Sequence, residues 1–388
     1  MKPDRRSFFK ILGGFGLISI VPSSIFARSQ SITPAAVKTA AQRVSAVSPN
    51  NNLLLQDVTY ENILQQIHKP FPHSKTEKLN ILHFSDIHGD QANLSRILAF
   101  RNKYAAYLND SLHTGDNHYM QWSDGFDFWK NLKGTENILN CVGNHDAAVD
   151  RTKKEGWWAA GKLNVYHRFF EPFISNWKVK QPEEAAQKGY NYYYKDYSKQ
   201  GIRLIVLDGM FYDATQNTWL HTVLDSARKA SLQVLIASHF PTAASTGNKN
   251  CIFDSFNAPH KDWEADWTGY GLLDEKVPEA VKNFMEHDGV FICYLCGHTH
   301  SDLFRTLSAY PHQLMICAPN AGHPKFASCF SQNRVEGTRS QDLFNIFSID
   351  SSLKYLNVTR IGCNYDLMGR HQGTILYNYA DHEIIYQN

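Results

Sequence analysis

Short apolar runs in this chain stop, one after another, at Asp, Asn and His, residue types that can ligate metals. The run 79–84 ends in Ser85-Asp86-Ile87-His88-Gly89-Asp90, and 138–142 ends in Gly143-Asn144-His145-Asp146. The run 234–238 ends in His239-Phe240-Pro241, and 290–296 ends in Gly297-His298-Thr299-His300. A fifth segment, Gly115-Asp116, follows His113 and Thr114. Runs of this length and apolarity read as buried strands, with 202–207 as another. Helical patterns over 93–107, 219–231 and 279–287 alternate with them, which is the rhythm of an α/β sheet. Residues 189–194 and the run after Gln200 read as an antiparallel pair turning over 197–201. The tail 343–388 alternates apolar and polar residues, as in Phe344-Asn345-Ile346-Phe347-Ser348-Ile349, and adds antiparallel strands.

In open α/β sheets the functional groups gather on loops at the carboxyl ends of strands. Two cations held about 3.5–4 Å apart need anionic oxygens, a shared carboxylate and imidazoles, all presented from rigid elements. Residues two apart on an extended segment point the same way, so Asp86 can converge with His88, and His298 with His300. Glycines 115, 143 and 297 let the backbone turn tightly beside them. Any one such residue is an ordinary turn or cap residue when taken alone. Together they specify a dinuclear centre.

The series D-x-H, G-D, G-N-H-D, H-x-P and G-H-x-H resembles the calcineurin-like metallophosphoesterase superfamily, over about 79–305. Gln216-Asn217-Thr218-Trp219-Leu220 is similar to a Q-x-x-W-L segment of that family. The resemblance implies a four-layer α/β/β/α sandwich of two mixed sheets, with the metal site at the carboxyl ends of strands. It implies two divalent or trivalent cations, of iron, manganese or zinc. Asp86, His88 and His300 would hold one, Asn144, His239 and His298 the other, and Asp116 would bridge them. A hydroxide between the ions would attack phosphorus in line. His145 would protonate the leaving oxygen as general acid, and Asp146 would orient its ring. The substrate would be a small phosphate mono- or diester. The competing enzyme reading is a purple acid phosphatase-like centre with Tyr119 as an iron ligand. His88 already fills the position that Tyr119 would take, so Tyr119 is read as pocket wall or packing. A non-enzyme reading, a surface protein that binds metal or phosphate, predicts a missing ligand or acid, and none is missing.

Other residues have plainer readings. His83 lies within a strand and is read as a core histidine, while His113 and His118 are read as structural or as supports behind the ligands. Asp90 caps the helix that follows. Cys293 and Cys296 face opposite sides of a strand and are read as core residues. The odd total of seven cysteines has no framework spacing, and no disulfide scaffold is expected. Trp157, Trp158 and residues 166–170, and the aromatic stretch 251–270, either wall the pocket or seal a satellite core. Arg168 or Lys261 would meet extra phosphates in the first case. Arg360 or Arg370 could reach the site.

At the N-terminus, Asp4-Arg5-Arg6-Ser7-Phe8-Phe9-Lys10 precedes a glycine-interrupted apolar run over 11–21. Residues 1–27 read as a twin-arginine signal peptide, too short and glycine-rich to span a membrane. A tether and lead-in segment covers 28–78, and the folded domain covers 79–388. The expectation is a periplasmic or secreted protein that meets the Tat translocation machinery and keeps no transmembrane anchor. A formal charge of +2, with scattered basic residues, points away from a nucleic-acid groove.

Overall fold

The run Leu79–Phe84 forms β1, and all six of its residues are buried. A strand covered on both faces needs no polar alternation, which is why its sequence shows little. The computed structural model describes residues 60–61, 64–65, 67–69, 71, 73–117, 132–147, 166–242, 273–298, 303–307, 309–318, 320–322, 334–362 and 374–387. Over these, two mixed sheets form with helices beside them, an α/β architecture.

Two strands continue from β1 in parallel: β2 (Asp110–His113) pairs with it, and β3 (Leu139–Asn140) pairs with β2. The second sheet is led by the antiparallel pair β4 (Tyr193–Tyr197) and β5 (Ile202–Val206). From β5 it continues in parallel through β6 (Gln233–Ala237), β7 (Phe291–Cys296) and β9 (Leu314–Cys317), and β8 (Leu303–Thr306) pairs antiparallel to β9. The tail returns to the first sheet as β10 (Leu343–Asp350), β11 (Tyr355–Gly362), β12 (Thr374–Asn378) and β13 (Glu383–Gln387), giving the order β13-β12-β11-β10-β1-β2-β3. The antiparallel tail strands expected from the alternation are therefore present. The hairpin of β8 and β9 leaves little mark in the sequence, because its two strands are only four residues each.

Helix boundaries follow caps more closely than apolar spacing. Helix α1 (Gln91–Lys103) starts two residues before the apolar pattern, because the Asp90 carboxylate accepts the Asn93 amide at 2.9 Å. Helix α2 (Ala214–Lys229) starts five residues early, capped by Asp213, which accepts the Gln216 amide at 2.8 Å. Its first turn carries little apolar signal, while Leu220, Val223, Leu224 and Ala227 bury one face. Each large aliphatic there contributes about 1.5–3 kcal/mol. Helix α3 (Lys276–Glu286) buries Val277, Ala280, Val281 and Phe284 in the same way.

One continuous apolar core includes residues of both sheets. Cys293 and Cys296 are buried within it, as expected of core residues, and Cys141 and Cys317 are buried there too. No helix among the described residues is long and apolar enough to cross a membrane. The carboxyl ends of the parallel strands in both sheets meet along one seam. Ser85, after β1, bridges in parallel to Asn320, after β9, and ties the sheets together at that edge.

Candidate metal centre

The seam collects the ligand candidates from five strands. Asp86 and His88 follow β1, Asp116 follows β2, and Asn144 opens a one-turn helix (Asn144–Ala147) after β3. His239 follows β6 and His298 follows β7. Asp86, His88, Asp116, Asn144 and His239 are buried, and His145 and His298 are half-buried. Backbone bonds knit the loops together before any side chain acts: the Asp86 amide donates to the Gly115 carbonyl at 3.0 Å, and the His88 amide donates to the Asp116 carbonyl at 3.0 Å.

Asp86, His88, Asp116 and His298 have φ of 55°, 50°, 59° and 67°. Left-handed backbone costs a residue with a Cβ about 1 kcal/mol or more. Such strain persists only where the surroundings over-determine it, and it concentrates at functional sites. At glycines 115, 143 and 297 a side chain is excluded outright. Gly115 has φ +98°, and a Cβ there would lie 2.6 Å from His239 Nδ1. A Cβ on Gly297 would lie 2.6 Å from Asp86 Oδ2.

The side chains then converge. Asn144 Oδ1 lies 2.9 Å from His239 Nε2 and 2.9 Å from His298 Nδ1. Asp116 Oδ1 is 3.3 Å from His239 Nε2, and its Oδ2 is 3.7 Å from His145 Nε2. Asp86 Oδ1 is 3.8 Å from His88 Nε2, while its Oδ2 accepts the His298 amide at 3.1 Å. The donor atoms of Asp116, His239 and His298 all lie within 4.8 Å of one another, and so do those of His88, Asp116 and His145. Asp116 is common to both groups, as a bridging ligand would be.

The donor set fits a pair of transition-metal cations. Imidazole nitrogens mixed with carboxylate and carboxamide oxygens suit zinc, manganese or iron better than calcium or copper(I). The ring of His239 is set for this, because its Nδ1 donates to the Thr114 carbonyl at 2.7 Å and leaves Nε2 facing Asn144 and Asp116. The electrostatics agree. Burial alone would lower the His239 pKa, but the Asp116 and Asp86 carboxylates outweigh it and raise the pKa to about 9. Burial opposes ionisation of Asp116, yet His239 and His145 hold its carboxyl well below the usual range. A buried carboxylate needs a positive partner; without a cation a proton on His239 serves, and a cation would replace it.

One expected role changes. Asp146 does not orient His145: among the described residues its hydrogen bonds all go elsewhere. Its carboxylate accepts the amides of Asp116, Asn117 and Gly143 at 2.9, 2.7 and 2.8 Å, and Asn117 Nδ2 at 3.2 Å. Burial and the neighbouring Asp116 push its pKa up to about 7, against those amides and His239. Asp146 therefore ties the loop after β2 to the loop after β3. The His145 ring instead stands edge-on to His88, with centroids 4.9 Å apart, and its amide donates to Asp116 Oδ1 at 2.9 Å.

Among the supporting residues, Asn117 and Asn140 carry no signal in the sequence that marks them. Asn117, next to the G-D pair, exchanges side-chain bonds with Asn140 at 3.3 Å, and Asn140 Oδ1 pairs with His113 Nδ1 at 3.1 Å. His83 Nε2 meets Thr114 Oγ1 at 3.0 Å. Burial lowers His83 to about 3 and His113 to about 4, so both are neutral structural histidines, as expected. Gln216 closes over the end of β5, accepting the Asp208 amide at 2.8 Å and donating to its carbonyl at 3.1 Å. Tyr166 and Phe170 are buried in the core rather than walling a pocket. Arg360 gives its Nε to Asn345 at 2.7 Å, on the strand beside β1. His300, His118, Tyr119, Trp157, Trp158, residues 251–270 with Lys261, the side chain of Arg168, and Arg370 lie outside the described residues.

A family model described as calcineurin-like phosphoesterase matches residues 79–302, the span that carries every loop of the site. Among solved structures, a dimetal phosphatase from Danio rerio is 11% identical, with 74% of this chain and 97% of that chain covered and a TM-score of 0.44. Yfce, a phosphoesterase from E. coli, is 11% identical, with 80% and 98% covered and a TM-score of 0.28. A protein of Thermus thermophilus, TT1561, is 10% identical, with 80% and 98% covered and a TM-score of 0.35. No curated protein matched.

Proposed function

We propose, because this chain belongs to the calcineurin-like phosphoesterase family, that it hydrolyses phosphate mono- or diesters at a two-cation centre and acts outside the cytoplasm. The observation that carries the first part is the sharing of Asp116 between two clusters of side chains, His88 and His145 in one and His239 and His298 in the other, drawn from five strand ends. Asp86, His88 and Asp116 would hold one cation, with His300 as the further ligand the sequence motif supplies. Asn144, His239, His298 and Asp116 would hold the other. When bound, the pair would supply positive charge to the phosphoryl oxygens and to the attacking water.

The remaining chemistry belongs to the chain. His145 is half-buried beside Asp116, with its Nε2 3.7 Å from Asp116 Oδ2, and it would reach the leaving oxygen of a substrate there. A proton delivered there to the leaving oxygen lets an alkoxide depart near neutral pH. Thr114 holds the His239 tautomer, and the left-handed turns keep the ligands in place before substrate arrives.

The test is a paired assay of purified protein on mono- and bis-nitrophenyl phosphate, with metal analysis and with Asp116→Ala and His145→Ala alongside. Turnover of at least one ester by wild type, reduced in both variants, is expected. Equal inactivity of all three proteins at full metal occupancy would remove the enzyme reading. Export rests on Arg5-Arg6 ahead of the glycine-interrupted apolar run. Replacing both arginines by lysine should leave the protein in the cytoplasmic fraction, and an unchanged extracytoplasmic yield would count against export.

A further inference from the structure

We infer that Arg334, through the segment 320–322, is a positioning residue for the metal ligand Asp86; this rests on the two-cation reading above. Asp86 sits in left-handed backbone, and part of what holds it there comes from outside the ligand loops. The Ala321 amide donates to the Ser85 carbonyl at 2.9 Å, and the Gly322 amide donates to the Asp86 carbonyl at 3.2 Å. Segment 320–322 thus grips the backbone of Asp86 and of the residue before it.

What holds segment 320–322 is not its own polar side chain. Asn320 is buried, and neither its Oδ1 nor its Nδ2 has a hydrogen-bond partner among the described residues. The buried guanidinium of Arg334 takes the carbonyl side instead. Its Nη1 donates to the Asn320 carbonyl at 2.9 Å, and its Nη2 donates to the carbonyls of Gly322 at 2.8 Å and Ala321 at 3.4 Å. The peptide that joins Asn320 to Ala321 is therefore held twice, by Arg334 at its oxygen and by Ser85 at its N–H. The peptide from Ala321 to Gly322 is held in the same way, by Arg334 and by Asp86. A charged donor at one end of such a chain polarises it and strengthens the far bond.

Arg334 is in turn fixed. Its Nε donates to the Gln341 carbonyl at 3.0 Å. Asn93, in the first turn of α1, donates to the Ala321 carbonyl at 3.2 Å and accepts from Gln341 Nε2 at 2.5 Å. Arg96 of the same helix makes a two-pronged pair with Asp342 at 2.7 and 2.8 Å. The helix after β1 and the segment before β10 therefore close on segment 320–322 from behind. Lysine, with three donors on one nitrogen and no planar fork, cannot serve the three carbonyls of segment 320–322 and that of Gln341 together.

Full-length wild type, Arg334→Lys and Asn93→Ala are titrated with manganese by calorimetry and followed by electron paramagnetic resonance. Wild type should bind two ions and give an exchange-coupled signal. In Arg334→Lys one binding step should weaken about 10–100-fold while the other stays unchanged. The signal of isolated manganese should persist to higher metal, kcat should recover at excess manganese, and KM should not move. Asn93→Ala should weaken the same step to a smaller degree, and it carries the test if Arg334→Lys does not fold. Two unchanged binding steps, or an equal loss at both, in whichever variant folds would overturn the positioning role. Failure of wild type to bind two ions would overturn the two-cation reading, and the role of Arg334 with it.

Discussion

His145 and His239 both face Asp116, but they lie on different sides of the chemistry. His239 Nε2 is turned inward between Asn144 and Asp116 with its other nitrogen committed to Thr114, whereas His145 is half-open to solvent. Replacing His145 by alanine should lower kcat about 10²–10⁴-fold on an alkyl phosphate and leave the metal content unchanged. On a nitrophenyl ester the loss should be smaller, because nitrophenolate leaves without a proton. Steady-state kinetics on the two substrates check this, and equal losses would argue against an acid role. His239 gives a pH prediction for the metal-free protein. Its pKa, raised from the ordinary 6.5 to about 9, makes the His239–Asp116 pair a source of stability. That stability is complete below about pH 6.5 and is lost as pH rises through about 9. Thermal melts of metal-free protein should fall across that window. Melts of the metal-loaded protein should hold steady there, since a cation takes the place of the proton.

Between elements, Asp146 is the tie that matters. The sequence motif places it beside His145, and the order of residues favours an ionic partner for the ring. The fold gives its carboxylate to three backbone amides and to Asn117 instead. Asp146→Ala would leave those buried donors without an acceptor, at a cost of about 3–5 kcal/mol in denaturant unfolding. A variant with unchanged stability and a shifted pH profile would restore the role of orienting His145. The helices show the same limit on local reading. Apolar spacing locates the buried faces of α1 and α2, yet Asp90 and Asp213 set where each helix begins. Of these caps, only Asp90 is recognisable in the sequence, because Asp213 precedes a turn with no apolar residue in a core-facing position.

At the scale of the molecule, the site is a property of two sheets meeting. One sheet supplies Asp86, His88, Asp116 and Asn144, and the other supplies His239 and His298. Cations held across that seam should stabilise the whole fold. At about 100 times Kd, each would add about 2.7 kcal/mol, and chelation should lower Tm by about 5–10 °C. Calorimetric scans with and without chelator measure this. The sequence alone determined the strand and helix rhythm and the ligand types at the strand ends, because hydrophobic period and residue order are local and covalent. It also determined the membership that follows from the spacing of D-x-H, G-D, G-N-H-D and G-H-x-H. Tertiary structure decided which side chain serves which partner. Asp116 is shared between two groups, Asp146 binds backbone, Thr114 fixes a tautomer 125 positions away, and Asn93 reaches Ala321 across 228 positions. Such pairs form only when two sheets dock, and no local pattern of residues records that docking.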